Sequence, residues 1–218
     1  GLTCLAAGCA SGTASTPAIW KVSDADNRVY LLGSFHVLKA EDYPLSENVL
    51  NAYADAERMA FEVAPHELQS PDLAARMQQA ALLPAGQNLQ ALLPEASWRR
   101  LSVWSQTNPS FPIASLNRLE PWFVAILVVN TQAKAQGFES ELGVDRHFMA
   151  AAQPAAKPAI GLEKASQQID LFDGMPLKAQ QQLLQEALEA NVADNSRDLE
   201  KLRRLWKSGD VNGLQRET

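Results

Sequence analysis

Val29-Tyr30-Leu31-Leu32-Gly33-Ser34-Phe35-His36 is the stretch on which the reading of this chain turns. Val29 to Leu32 form an unbroken apolar run, the pattern of a strand buried on both faces rather than solvated on one. Gly33 lacks a Cβ and lets the backbone turn sharply, so that His36 projects from the strand's end. Imidazole exchanges its proton near neutral pH and is the commonest metal-ligating side chain. The turn is therefore the first place to look for chemistry. A structural histidine remains the plain alternative for so short a motif.

Working outward, residues 18–23 read as a preceding strand, joined to residues 28–35 through the polar turn Asp24-Ala25-Asp26-Asn27, a β-hairpin. After His36, Leu45, Val49, Leu50 and Tyr53 fall at helix spacing, and Arg58 to Val63 form a third short strand closed by Pro65. From Ser70 onward the pattern is helical, interrupted by Pro84, Pro94, Pro109 and Pro112. Residues 119–135 are the most apolar helix, with Pro121 in the first turn and Gly137 at the exit. Residues 139–152 predict another helix, 157–162 a fourth strand, and 164–172, 176–193 and 196–206 amphipathic helices. The expectation is an α/β fold with some α+β character, a small mixed β-sheet wrapped by many helices.

Charge narrows the function. The chain carries a net −6 with a pI near 5.1 and has no long Lys/Arg run, which argues against nucleic acid as a partner. Apolar residues make up 46% and charged residues 20%, so the body is globular rather than disordered. Both cysteines, Cys4 and Cys9, lie in an apolar, small-residue stretch like the end of a signal peptide. Leu5-Ala6-Ala7-Gly8-Cys9 resembles a bacterial lipobox, although Ala6 stands where a larger aliphatic residue is usual. That likeness implies an exported protein, periplasmic or anchored in the outer membrane through a lipidated Cys9. Residues 1–17 are read as this remnant plus a linker, and residues 18–218 as one domain.

Three strand ends carry polar side chains: His36, Glu62 in Met59-Ala60-Phe61-Glu62-Val63, and Glu163 after Ile160-Gly161-Leu162. In open α/β sheets ligands bind beyond the carboxyl ends of strands, so the three would share a site if their strands were neighbours. Each carboxylate has a second reading as a solvated strand residue. Asp145 and Arg146 lie on an expected helix within an apolar surround and read as a solvated pair, while His66 and His147 read as surface histidines. There is no His-Glu-x-x-His, no cysteine ligand pair, no phosphate loop and no Gly-x-Ser-x-Gly elbow.

Trp20-Lys21-Val22, the Val29 to His36 stretch, Phe61-Glu62-Val63, Glu120-Pro121-Trp122, Gly143-Val144-Asp145 and Gly161-Leu162-Glu163 with Gln168 together resemble the TraB/GumN proteins, relatives of the TIKI metalloproteases. The likeness runs from residue 18 to about 210. It implies a divalent-metal-dependent, peptidase-like hydrolase with Mn²⁺ or a similar ion. His36 and Glu62 would be the catalytic and metal-binding residues, Glu163 a further ligand, and Gly33, Asp145 and Arg146 would line the cleft. It equally permits a non-catalytic protein that sequesters a peptide or small signal molecule. The family carries a second Gly-x-x-His near its C-terminal end and this sequence does not, so the expected domain is C-terminally incomplete or has lost half its histidine pair. Either way, the flank beside the His36 strand is expected to lie open or to be covered by a partner copy.

Overall fold

The hairpin forms as its alternating turn chemistry demands. Strand β1 (Ile19–Ser23) pairs antiparallel with β2 (Arg28–Leu32), Trp20 opposite Leu31 and Val22 opposite Val29. Asp24 Oδ1 accepts hydrogen bonds from the backbone N–H groups of Asp26 and Asn27, which fixes the turn between them. The structure is a computed structural model and describes residues 16–189 and 192–217. Cys9, like Cys4, lies outside the described residues.

A 3₁₀ turn (Ala40–Asp42) leads into helix α1 (Glu47–Asp55), and β3 (Met59–Val63) follows. Helices α2 (Pro65–Leu68), α3 (Pro71–Ala80), α4 (Leu89–Leu92), α5 (Glu95–Thr107), α6 (Ile113–Leu116) and α7 (Pro121–Ala135) then run in succession. A second 3₁₀ turn (Ser140–Leu142) precedes α8 (Val144–Ala152), after which β4 (Ala159–Glu163) returns to pair in parallel with β3. Helices α9 (Ala165–Asp173), α10 (Leu177–Glu189), α11 (Val192–Ser208) and α12 (Val211–Glu217) complete the order. The class is α/β as expected. Among the described residues its antiparallel and parallel pairings fall in two separate two-stranded sheets.

Two apolar clusters organise the interior. One packs α7 along α10 and α5, with Leu101, Val124, Val128 and Leu184 fully buried. Pro121 at the first turn of α7 needs no N–H there, and Gly137, at φ +82, lets the chain leave the helix through the left-handed region. The other joins Leu38, Val49, Phe61, Val144, Phe148 and Trp206 beneath the sheets. Among the described residues no helix is long and apolar enough to cross a membrane.

The strand at Val29 to Leu32 is not buried on both faces. Tyr30 and Leu32 face inward: the Tyr30 hydroxyl donates to Asp55 of α1 at 2.7 Å, and Leu32 packs on the second cluster. Val29 and Leu31 face outward and are 55% and 53% exposed, beside Trp20 and Val22. A two-stranded ribbon has only one inner side here, and no described element lies over the other. An apolar run by itself does not say how many layers cover a strand.

Candidate functional site

The turn after β2 draws its order from α8. The Phe35 carbonyl accepts the Val144 N–H at 3.0 Å, so the start of α8 docks on the backbone just before His36. Gly143 comes so close that a Cβ there would collide with the His36 carbonyl. Only glycine allows that approach. Asp145 then projects from the first turn of α8 straight onto the motif. Its Oδ2 accepts the Ser34 hydroxyl at 2.5 Å and lies 2.7 Å from His36 Nδ1. The three consecutive residues Gly143, Val144 and Asp145 thus serve one purpose each: close approach, backbone register and ring orientation.

Expectation placed the glycine requirement at Gly33, and the structure moves it. Gly33 has no positive φ, and a Cβ built there meets nothing within 4 Å. Its carbonyl is what the fold uses, accepting the Trp206 indole N–H at 2.8 Å. The chain passes out of β2 without a tight turn, so the steric need falls on the partner segment.

The His36–Asp145 contact sets the electrostatics. The hydrogen bond to Asp145 raises the His36 pKa above its ordinary value, burial opposes it, and the charges of Asp145 and Glu62 add to the rise. Burial pushes the Asp145 carboxyl up, but the hydrogen bonds from His36 and Ser34 outweigh it, leaving the group below the usual carboxylate range. With Nδ1 committed to Asp145, the other ring nitrogen, Nε2, is free to face a ligand, and the His36 side chain is 68% exposed. Ser34, His36 and Asp145 do not form a nucleophilic triad, because the serine hydroxyl gives its proton to the carboxylate rather than to the imidazole. Ser34 stood inside the motif unread; its small donor side chain two residues before the histidine was the available signal.

The carboxylates divide. Glu62 is exposed on β3 and its charge reaches His36. Glu163 stands in register with Val63, so the alternation of side chains puts it on the opposite face of the β3–β4 pair from Glu62. Arg146 is exposed on α8, one position round the helix from Asp145. Among the described residues no group of three or more His, Cys, Asp or Glu side chains is gathered closely enough to hold a metal ion. His66 is exposed, as expected. His147 is instead half-buried, its ring 4.7 Å from Tyr43 and 5.1 Å from Phe148, and burial lowers its pKa. Tyr43 also donates to the Leu142 carbonyl at 2.5 Å, bracing the loop that presents Gly143.

A family model described as the TraB/PrgY/gumN family matches residues 18–218. The uncharacterized protein YbaP of Escherichia coli (strain K12) is 29% identical over 163 residues, covering 74% of this chain and 58% of that protein. YbaP of Shigella flexneri matches with the same identity and coverage. The chain thus spans 58% of the length of these curated relatives. No solved structure matches it.

Proposed function

The chain belongs to the TraB/PrgY/gumN family, and from that premise we propose that it is a divalent-metal-dependent hydrolase of the cell envelope, acting on peptides. The supporting observation is the His36 ring, locked through Nδ1 by Asp145 with Nε2 facing outward. Metal-bound histidines are held this way, the second ring nitrogen bonded to a carboxylate that fixes tautomer and direction. The donors fit such an ion in kind: His36 Nε2 and the Glu62 carboxylate would hold it, hard and borderline ligands suited to Mn²⁺ or a similar cation. They fall short in arrangement, since no three such side chains are gathered closely enough to hold an ion among the described residues. When bound, a divalent ion would supply an activated water and polarise a carbonyl. The chain's own part is narrower. Asp145 holds the His36 ring in place through Nδ1, which leaves Nε2 for a ligand, and Glu62 adds negative charge beside it.

That shortfall favours a second reading, in which the same surface around His36 captures a peptide or small signal molecule without cleaving it. Calorimetric titration with MnCl₂ and hydrolysis of a mixed peptide library separate the two. The hydrolase reading expects Mn²⁺ binding and metal-stimulated cleavage, both lost in His36→Ala and cleavage alone weakened in Glu62→Gln. It fails if the parent protein neither binds Mn²⁺ nor cleaves; peptide retention without cleavage then assigns the binding role. The envelope location rests on the lipobox-like Leu5 to Cys9 sequence. Mass spectrometry of the protein expressed with its native leader tests it, a diacylglyceryl adduct on Cys9 being the expected result.

A further inference from the structure

From Gly33 to His36 the backbone closes no hydrogen bond on itself. Its shape therefore depends on what grips it from outside. Two grips come from α8, the Val144 N–H on the Phe35 carbonyl and the Asp145 carboxylate on Ser34 and His36. The other comes from a helix more than 160 residues downstream. Trp206 of α11 is 4% exposed, its ring centroid lies 5.9 Å from that of Phe35, and its indole N–H donates to the Gly33 carbonyl at 2.8 Å.

The same helix holds the far end of the segment. Asp42 is buried and takes Arg203 Nε at 2.8 Å, Arg203 Nη2 at 2.6 Å and Lys207 Nζ at 2.7 Å, while its Oδ2 caps the Lys39 N–H at 2.9 Å. Glu200 adds an ion pair to Lys39 and a 3.0 Å bond to Arg203. Residues 33–42 are thus gripped by α11 at both ends, with His36 between the two grips. A phenylalanine could also pack beside Phe35, though it would leave part of the indole's space empty. What the indole adds is a directed N–H, and buried tryptophans normally use theirs.

We propose that Trp206 is a positioning residue for His36: by fixing the Gly33 carbonyl it sets the distance at which the imidazole meets Asp145, and so which ring nitrogen is turned away from Asp145 toward solvent. The dyad's geometry is then a property of α11 as much as of α8. The functional importance of this rests on the hydrolase reading above, but the geometric claim does not.

The test reads the tautomer directly. In ¹⁵N-labelled protein, at a pH above the observed His36 titration, long-range ¹H–¹⁵N correlation reports the His36 Nδ1–H and Nε2–H populations. The parent should hold the Nδ1–H form, since the partner of one nitrogen decides which carries the proton. Trp206→Phe, and β-(3-benzothienyl)alanine at position 206, which keeps the bicyclic shape and replaces N–H by sulfur, should raise the minor Nε2–H population about threefold or more. If Trp206→Phe does not fold, the sulfur isostere decides alone. An unchanged tautomer ratio in the folded isostere overturns the proposal. Mn²⁺ titration of the same samples keeps the two readings apart. A parent that binds no Mn²⁺ but shows the tautomer shift sinks the hydrolase reading and leaves the positioning role intact.

Discussion

The helical half of the molecule and the half that carries the site are held together by different physics. Around α7 and α10, Val124, Val128, Leu101 and Leu184 form an apolar cluster, and the buried polar side chains there are neutral, Gln132 donating to the Ala187 carbonyl and Gln180 to the Met175 carbonyl. Around His36 the apolar cluster is joined by a buried ionic clamp, Asp42 with Arg203 and Lys207. Apolar packing is non-directional and tolerates small displacements. Charged hydrogen bonds fix distance and angle. A site that must place one imidazole against one carboxylate needs the second kind, and the buried carboxylate of its clamp ties its stability to pH.

The largest expected effect comes from breaking the clamp. Asp42→Ala leaves Arg203 and Lys207 without their main acceptor, and removing one partner of a buried pair costs about 3–5 kcal/mol. Urea unfolding at neutral pH should show it. Hydrogen bonds from Arg203 and Lys207 outweigh burial and hold the Asp42 pKa below its ordinary 3.8. A carboxyl depressed in the folded state contributes its stability above the unfolded value and loses it as pH falls through the folded one. The difference between parent and Asp42→Ala should therefore shrink as the pH drops below 3.8. Leu184→Ala in the other half should cost about 2–5 kcal/mol by cavity formation, with little change over the same pH range. Equal acid sensitivity in both variants would erase the contrast drawn here.

Gly143→Ala is next in size. Its Cβ would overlap the His36 carbonyl, so one backbone must move. Overpacking of this kind costs about 1–3 kcal/mol. The displacement falls on the motif itself, and on the hydrolase reading proposed above the metal-stimulated cleavage should suffer more than stability does. A variant with normal activity and a normal denaturation midpoint would mean that the close approach of α8 is dispensable.

Much of this frame was legible in the sequence because it rests on local rules. The hairpin, the limits of α7 set by Pro121 and Gly137, and the short strand ending near Val63 follow from turn chemistry and periodicity. What escaped was pairing at long range. Nothing local to Trp206 says that its indole reaches Gly33, nor does Asp42 announce Arg203, since 161 residues separate that pair. The role of Gly143 was hidden for the same reason: the need for glycine lies in what docks against it. Glu163 was grouped with Glu62 because each ends a strand, and register rather than sequence decides which face each occupies. The coverage of β2 was misjudged because four apolar residues in a row describe a side-chain pattern and not the layers around it.

The smallest effect is expected on the outer face of the hairpin, and it sharpens the comparison most. Val22 and Val29 stand opposite each other in register and point away from α1. Threonine keeps their branched shape and strand preference while adding a hydroxyl. If water already covers these side chains, the double variant Val22→Thr with Val29→Thr should lie within about 0.5 kcal/mol of the parent, as surface substitutions do. A buried pair would behave otherwise, because each hydroxyl would lose its water partners and cost about 1–3 kcal/mol. Denaturation at two protein concentrations tells the cases apart. A small, concentration-independent change fits a solvated face. A loss of several kcal/mol that grows on dilution would mean that another copy covers the hairpin in solution, and the sheet half would then owe part of its stability to apolar burial of the kind assigned above to α7 and α10.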